Sequence, residues 1–100
     1  MRPTIDSFRA SLQASAPPDL SPSLRALWLD AKGDWDGAHQ CVDSRSDPDS
    51  CWAHAYLHRK EGDLWNAAYW YRRAGRPMHE GALAEEWAEI VIFLLAKARE

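Results

Sequence analysis

Two histidines four residues apart are the first feature of this sequence that could do chemistry. His54 and His58 lie in the segment HAYLH, and on a helix this spacing places both side chains on one face. Imidazole nitrogens are common metal ligands, and His39, Cys41 or Cys51 could supply further ligands from neighbouring elements. The favoured interpretation is a structural cluster, in which Cys51, His54 and His58 face the preceding hairpin and bond to backbone or aspartates. The alternative is a metal site at His39, His54 and His58.

The sequence contains no familiar catalytic arrangement around these histidines. HAYLH lacks the glutamate that serves as general base in the metalloprotease motif H-E-x-x-H. The two cysteines are better interpreted as small apolar residues than as nucleophiles, and the five glycines are dispersed, so they form no phosphate-binding loop. The carboxylates of Glu85, Glu86 and Glu89 favour a solvated start of the last helix. We therefore expect no catalytic residue, and the alternative is a small metal-dependent enzyme site around the histidines.

A second candidate site combines aromatic rings with arginines on one predicted helix that begins at Asp63. One stripe of this helix holds the residues expected to pack, which are Ala67, Tyr71 and Ala74. A second stripe follows spacings of four, three and four through Trp65, Tyr69, Arg72 and Arg76. Stacking and forked hydrogen bonds suit a protein or peptide partner with carboxylates, or a small anionic ligand. The alternative is that the rings pack and the arginine stems cover them.

The composition restricts the classes of partner and the compartment. A chain of 100 residues predicts one domain over residues 1–100, and six tryptophans can fill much of its core. A net charge of −3 argues against nucleic acid as a partner. Two cysteines and no apolar leader predict a reduced, cytoplasmic protein. The run IVIFLL at 90–95 is far shorter than the roughly 20 residues of a membrane helix, so we expect no membrane contact.

Helical spacing of apolar residues and the scarcity of β-branched residues predict an all-α fold of about six helices. A first helix is expected over about residues 3–14, because the following pair of prolines cannot continue it. Ser21-Pro22 predicts the start of a second helix that runs to Gly33. Asp34 and Asp63 each follow a glycine, which predicts two helix hairpins with aspartate N-caps. The last helix is expected over about residues 80–99.

The two hairpins share the pattern A-x6-G-D-x3-A when Gly33 is aligned with Gly62. Over residues 22–77 this pattern resembles tetratricopeptide or Sel1-like helical repeats, with 80–99 as a capping helix. The resemblance implies a groove for a protein or peptide, lined by the first helix of each unit. In the second unit that helix supplies Asp49, Trp52, Tyr56, Arg59 and Lys60. The segments AYLHRKEGD and YWYRRAG also resemble a group of small bacterial helical proteins, a resemblance that implies no activity.

The last helix predicts contact with a second copy of the chain. IVIFLL and Trp87 give it more apolar width than one packing face needs. Two hairpins are also fewer than the roughly three repeats that usually sustain a repeat array. We therefore expect a homodimer through this helix.

Overall fold

A computed structural model describes residues 4–98 of the chain, and none of these lies in a β-strand. Their six helices confirm the predicted all-α class and the number of elements. The helices are α1 (Ile5–Ser11), α2 (Pro22–Ala31), α3 (Trp35–Val42), α4 (Pro48–Glu61), α5 (Leu64–Ala74) and α6 (Leu83–Ala98).

The two predicted hairpins are formed by α2 with α3 and by α4 with α5. Asp34 accepts a hydrogen bond from the Gly37 N–H at 2.9 Å, and Asp63 accepts one from the Asn66 N–H at 3.3 Å. Gly33 and Gly62 have φ of +86° and +90°, a region that favours glycine because it has no Cβ. These caps confirm the predicted junctions and set both hairpin turns.

The helix α4 lies at the centre of the fold, because it packs against α2, α3, α5 and α6. Its residues Ala53, Ala55 and Leu57 are fully buried. Three of the six tryptophans, Trp28, Trp52 and Trp87, lie in the core. This arrangement makes α4 the element whose side chains meet most of the others.

The first helix is shorter than predicted. It begins at Ile5, after Thr4 and Ser7 form a capping box, and ends at Ser11. The Lys32 ammonium binds the carbonyl oxygens of Leu12 and Ala14 at 2.6 and 3.1 Å. These carbonyls are therefore satisfied by a side chain instead of a further helical turn. The predicted start at residue 3 lies outside the described residues.

The last helix begins three residues later than predicted, at Leu83. The Arg59 guanidinium binds the carbonyl oxygens of His79 and Gly81, which keeps residues 79–81 out of the helix. The prediction that Glu86 is solvated was wrong, since it is fully buried. Adjacent acidic residues in the first turn of a helix are usually exposed, but the Glu86 side chain lies on the inner face of α6. The predicted end at residue 99 lies outside the described residues.

The outer face of α6 leaves two large apolar side chains in solvent. Ile92 is 53% exposed and Phe93 is 40% exposed, whereas Ile90, Val91, Leu94 and Leu95 are buried. Within residues 4–98, no helix has both the length and the apolar character needed to cross a bilayer. The homodimer stays a prediction.

Candidate metal centre

The three histidines of the alternative metal site converge between α3 and α4. The Nε2 atom of His54 lies 3.1 Å from Nε2 of His39 and 3.0 Å from Nε2 of His58. His54 and His58 are buried, while the His39 side chain is 26% exposed. The helical spacing of four accounts for the pair on α4, and the crossing of α3 brings the third ring. The cluster is therefore accessible from the His39 side.

Two tryptophans hold the histidine rings in place. The ring of Trp35 stacks on His39 with centroids 5.0 Å apart, and its Nε1–H donates to the Leu57 carbonyl oxygen at 2.9 Å. The ring of Trp70, from α5, stacks on His54 at 3.9 Å. Three helices therefore fix the orientation of the cluster.

Hydrogen-bond donors and acceptors are poorly matched in this cluster when no ion is considered. The Glu61 carboxylate lies 2.6 Å from Nδ1 of His58, and because a carboxylate only accepts, we assign the proton of neutral His58 to Nδ1. Its Nε2 then presents a lone pair to His54. If His54 carries its proton on Nε2, this N–H donates to His58; if His54 carries it on Nδ1, the Nε2 lone pairs of His54 and His58 face each other at 3.0 Å. The Nδ1 atom of His54 has no hydrogen-bond partner among the described residues.

The same cluster keeps His54 in its neutral form. Burial and, to a smaller extent, the neighbouring charges of His58 and His39 together lower the pKa of His54 from 6.5 to about 3. A neutral imidazole is the form that donates a lone pair to a metal. His54 is therefore ready to act as a ligand throughout the neutral pH range.

The two Nε2 separations that involve His54 fit one ion. Three nitrogens about 2.0–2.1 Å from a tetrahedral ion lie roughly 3.3 Å from one another, close to the two Nε2 separations of 3.1 and 3.0 Å. In metal sites, the ring nitrogen of histidine that does not bind the ion usually donates to a carboxylate, and two carboxylates lie in such positions here. Glu61 binds Nδ1 of His58, and Asp43 lies 3.8 Å from Nδ1 of His39. Three protein ligands leave a fourth position for water or another ligand.

The cysteines do not join this cluster. The Cys41 thiol donates to the Gly37 carbonyl oxygen at 3.4 Å, and burial raises its pKa. Cys51 is fully buried on α4. The groups of at least three close ligand atoms within residues 4–98 are His39 with His54 and His58, and His58 with Glu61 and Asp63.

The structure divides the predicted aromatic and arginine residues into two sets. Trp52, Tyr56 and Arg59 are largely enclosed and bond to carboxylates on other helices. Trp52 Nε1–H donates to Glu86 at 3.1 Å, and Tyr56 O–H donates to Asp30 at 3.0 Å. These contacts join α4 to α2 and α6.

Two cations from the same prediction extend this set of inter-helix contacts. The Lys60 ammonium lies 2.9 Å from the Asp30 carboxylate. The Arg76 guanidinium stacks over Trp52 at 3.5 Å and over Phe93 at 4.8 Å. Both cations therefore also contribute to packing.

The remaining three predicted residues lie together on the outer face of α5. Trp65 is 86% exposed and Tyr69 is 43% exposed. With Arg72, Asp63 and Asn66 they surround a surface depression of about 310 Å³. We name Trp65, Tyr69 and Arg72 the α5 surface.

Sequence reasoning missed four residues that shape these sites. Trp35 lies four residues before His39, and Glu61 lies three after His58, so helical spacing could have identified both. No local signal places Trp70 on His54. Glu86, which accepts from Trp52 at 3.1 Å and from the Tyr71 O–H at 2.5 Å, was mistaken for a solvated residue.

Comparisons of this chain with family models, with curated proteins and with solved structures find no match.

Proposed function

We propose that this protein binds one divalent metal ion of the late first transition row through Nε2 of His39, His54 and His58. The observation that carries the proposal is the convergence of these atoms, with His54 Nε2 lying 3.1 and 3.0 Å from the other two. An ion at their centre would use all three lone pairs. It would also remove the facing of the His54 and His58 lone pairs, because both would point at the ion.

The ligand type restricts the choice of ion. Imidazole suits Zn²⁺, Cu²⁺ and Ni²⁺, whereas Mg²⁺ and Ca²⁺ prefer oxygen ligands. The nearby carboxylates of Glu61 and Asp63 add negative charge beside His58, which favours a cation. We therefore expect Zn²⁺ to bind with a stoichiometry of one ion per chain, and Mg²⁺ not to compete.

Titration of the metal-free protein with Co²⁺ and Zn²⁺ tests this proposal. Co²⁺ should produce the visible absorption of a four-coordinate site, and one equivalent of Zn²⁺ should abolish it. The variant His39→Ala should lose this binding, and it is preferred because His39 is the least buried ligand. His79→Ala is the matched control, since His79 pairs with Glu89 away from the cluster. Equal Co²⁺ spectra in the two variants would refute the site.

We also propose a second function, in which the α5 surface docks an acidic protein or peptide. The supporting observation is the 86% exposure of Trp65 beside Leu64, which is 56% exposed. Exposed aromatic residues next to arginine are typical of interaction hot spots. Arg72 and its neighbour Arg73 give this end of α5 a positive charge.

Binding of fluorescein-labelled poly-glutamate tests this second function. Trp65→Ala and Arg72→Ala should each weaken binding at least fivefold, and the thermal midpoint should stay the same because both side chains lie outside the core. Lys97→Ala is a control for charge alone, since Lys97 pairs with Asp49 on another face. An equal loss in all three variants would indicate nonspecific attraction and reject the α5 surface.

A further inference from the structure

A separate cleft opens between α1, α2, α4 and α6, and none of the three clustered histidines lines it. Its volume is about 510 Å³, within the range of small-molecule sites. Apolar side chains from three helical segments form most of its wall, namely Leu12, Ala31, Leu83, Ala84 and Trp87. The indole N–H of Trp87 donates to the Leu27 carbonyl oxygen at 3.0 Å. This bond fixes the ring against the core, so the wall is a firm apolar surface.

The polar side of the cleft carries an excess of positive charge. Asp30 is 3% exposed and is already bound by the Tyr56 O–H at 3.0 Å and the Lys60 ammonium at 2.9 Å. The Arg9 guanidinium lies 5.8 Å from the centre of the Trp87 ring. Within residues 4–98 no carboxylate forms an ion pair with Arg9. The cleft therefore has one carboxylate, Asp30, and two cations, Lys60 and Arg9. Lys60 pairs with Asp30, so Arg9 is the cation available to a ligand.

We propose that this cleft binds a small amphipathic carboxylate. The apolar body of the ligand lies between Leu12, Leu83 and the face of Trp87. Its carboxylate lies beside Arg9, which can bind it with two parallel N–H groups. Lys60 has ammonium hydrogens beyond the one directed at Asp30 and adds a second cation to the head site. Burial of Tyr56 raises its pKa, as does the charge of Asp30, so its hydroxyl stays a neutral donor to Asp30.

The proposal does not depend on the metal centre, because the two sites share no residue. A neutral ligand would leave Arg9 without a counter-charge, and a cationic ligand would be repelled by Arg9 and Lys60. A short polar anion would leave the apolar wall unused. The expected ligand class is therefore a medium-chain fatty acid or a similar monocarboxylate.

Calorimetric titration of the full chain with decanoate tests the cleft. Decanoate should bind with one site per chain. Octanoate, which is two methylenes shorter, should bind about 15-fold more weakly, because each buried methylene contributes roughly a fourfold change in affinity. Decanol should bind much more weakly than decanoate. Equal affinities for decanol and decanoate would overturn the anionic head site.

Matched variants locate the binding. Ala84 and Ala96 are both exposed alanines of α6, but Ala84 lines the cleft and Ala96 does not. Ala84→Trp should fill the cleft and reduce decanoate affinity at least tenfold, whereas Ala96→Trp should leave it unchanged. Arg9→Gln should weaken decanoate severalfold without changing decanol binding, and Arg72→Gln should have no effect. Absence of decanoate binding, or equal behaviour of the two tryptophan variants, overturns the proposal.

Discussion

The Nε2 atoms of His39 and His54 lie 3.1 Å apart although the two residues belong to different hairpins. A metal ion shared by these rings would join α3 to α4 directly. His58 adds a second ring from α4, so the ion would hold the first hairpin against the second. Metal binding should therefore increase the stability of the folded protein.

Zn²⁺ should raise the thermal midpoint of the metal-free protein. A ligand at a hundredfold excess over its dissociation constant stabilises the folded state by about 2.7 kcal/mol. For a chain of this size that corresponds to a rise of roughly 10 °C or more. Thermal melting followed by circular dichroism, with and without Zn²⁺, measures this rise in the thermal midpoint. His39→Ala should show no rise, while His79→Ala should behave as the parent does; a rise of the same size in His39→Ala would contradict the link.

The metal-free protein should lose stability as the pH falls below neutrality. Burial, which is the largest cause, and the charges of His58 and His39 together lower the pKa of His54 from 6.5 to about 3. Between these values the unfolded chain binds a proton at this position and the folded chain does not. Stability is therefore full above about pH 6.5 and declines towards pH 3, by at most about 1.4 kcal/mol per pH unit for this group.

Urea denaturation at a series of pH values measures this decline. His54→Leu should show a smaller slope between pH 6.5 and 4, because the titrating group is removed. His79→Leu is the control with the same chemical change outside the cluster. Identical slopes in the parent and His54→Leu would contradict the assignment.

Glu61→Gln should weaken metal binding while leaving the fold intact. The Glu61 carboxylate lies 2.6 Å from Nδ1 of His58, where it fixes the tautomer and the orientation of the His58 ring. Loss of such outer-shell partners usually reduces metal affinity about 10- to 100-fold. Glu80→Gln serves as a control from an exposed segment. Competition with a chromophoric chelator measures both affinities, and equal values would show that Glu61 has no such role.

Glu86→Ala should be among the most destabilising single changes in the chain. Glu86 is fully buried, accepts from Trp52 and Tyr71, and lies 3.6 Å from Nε of Arg59. Its removal leaves the enclosed Arg59 cation without its carboxylate counter-charge, and the Trp52 and Tyr71 donors without their acceptor. We expect this change to cost about 3–5 kcal/mol. Guanidinium denaturation measures the free energy of unfolding. Glu85→Ala, one residue earlier and exposed, should change it by less than about 0.5 kcal/mol.

The predicted homodimer should depend on the outer face of α6. Ile92 is 53% exposed and Phe93 is 40% exposed, and a second copy would cover both. Sedimentation equilibrium should give twice the chain mass, and Ile92→Lys should reduce it to the monomer. Ala96→Lys is the control for added charge on the same helix. A parent mass that stays monomeric at all concentrations would remove the dimer.

Features set by neighbouring residues could be predicted from the sequence. Asp34 and Asp63 cap their helices as the Gly-Asp pairs indicated, because a cap depends on residues within one turn. The pairing of His54 with His58 follows from helix geometry alone. The bounds of α1 and α6 were less accurate, since Lys32 and Arg59 bind backbone carbonyls about 20 residues distant in sequence.

Features that depend on how helices cross could not be predicted in the same way. The position of His39 opposite His54 requires the packing of α3 on α4, which no local pattern specifies. Glu86 was misassigned because its partners Trp52 and Tyr71 lie 34 and 15 residues away. Helical spacing placed Trp65 and Arg76 on one stripe, but Arg76 lies past the end of α5 and turns over Trp52.

The central position of α4 also determines the order in which parts of the protein open. Four other helices pack against α4, whereas α1 packs against α6 and is joined to α2 by the hydrogen bond from the Trp28 indole N–H to the Ser11 hydroxyl. Amide hydrogens of α4 should therefore exchange with solvent most slowly, near the rate of global unfolding, and those of α1 should exchange much sooner. An ion held by His54 and His58 would consequently remain bound while α1 detaches and returns.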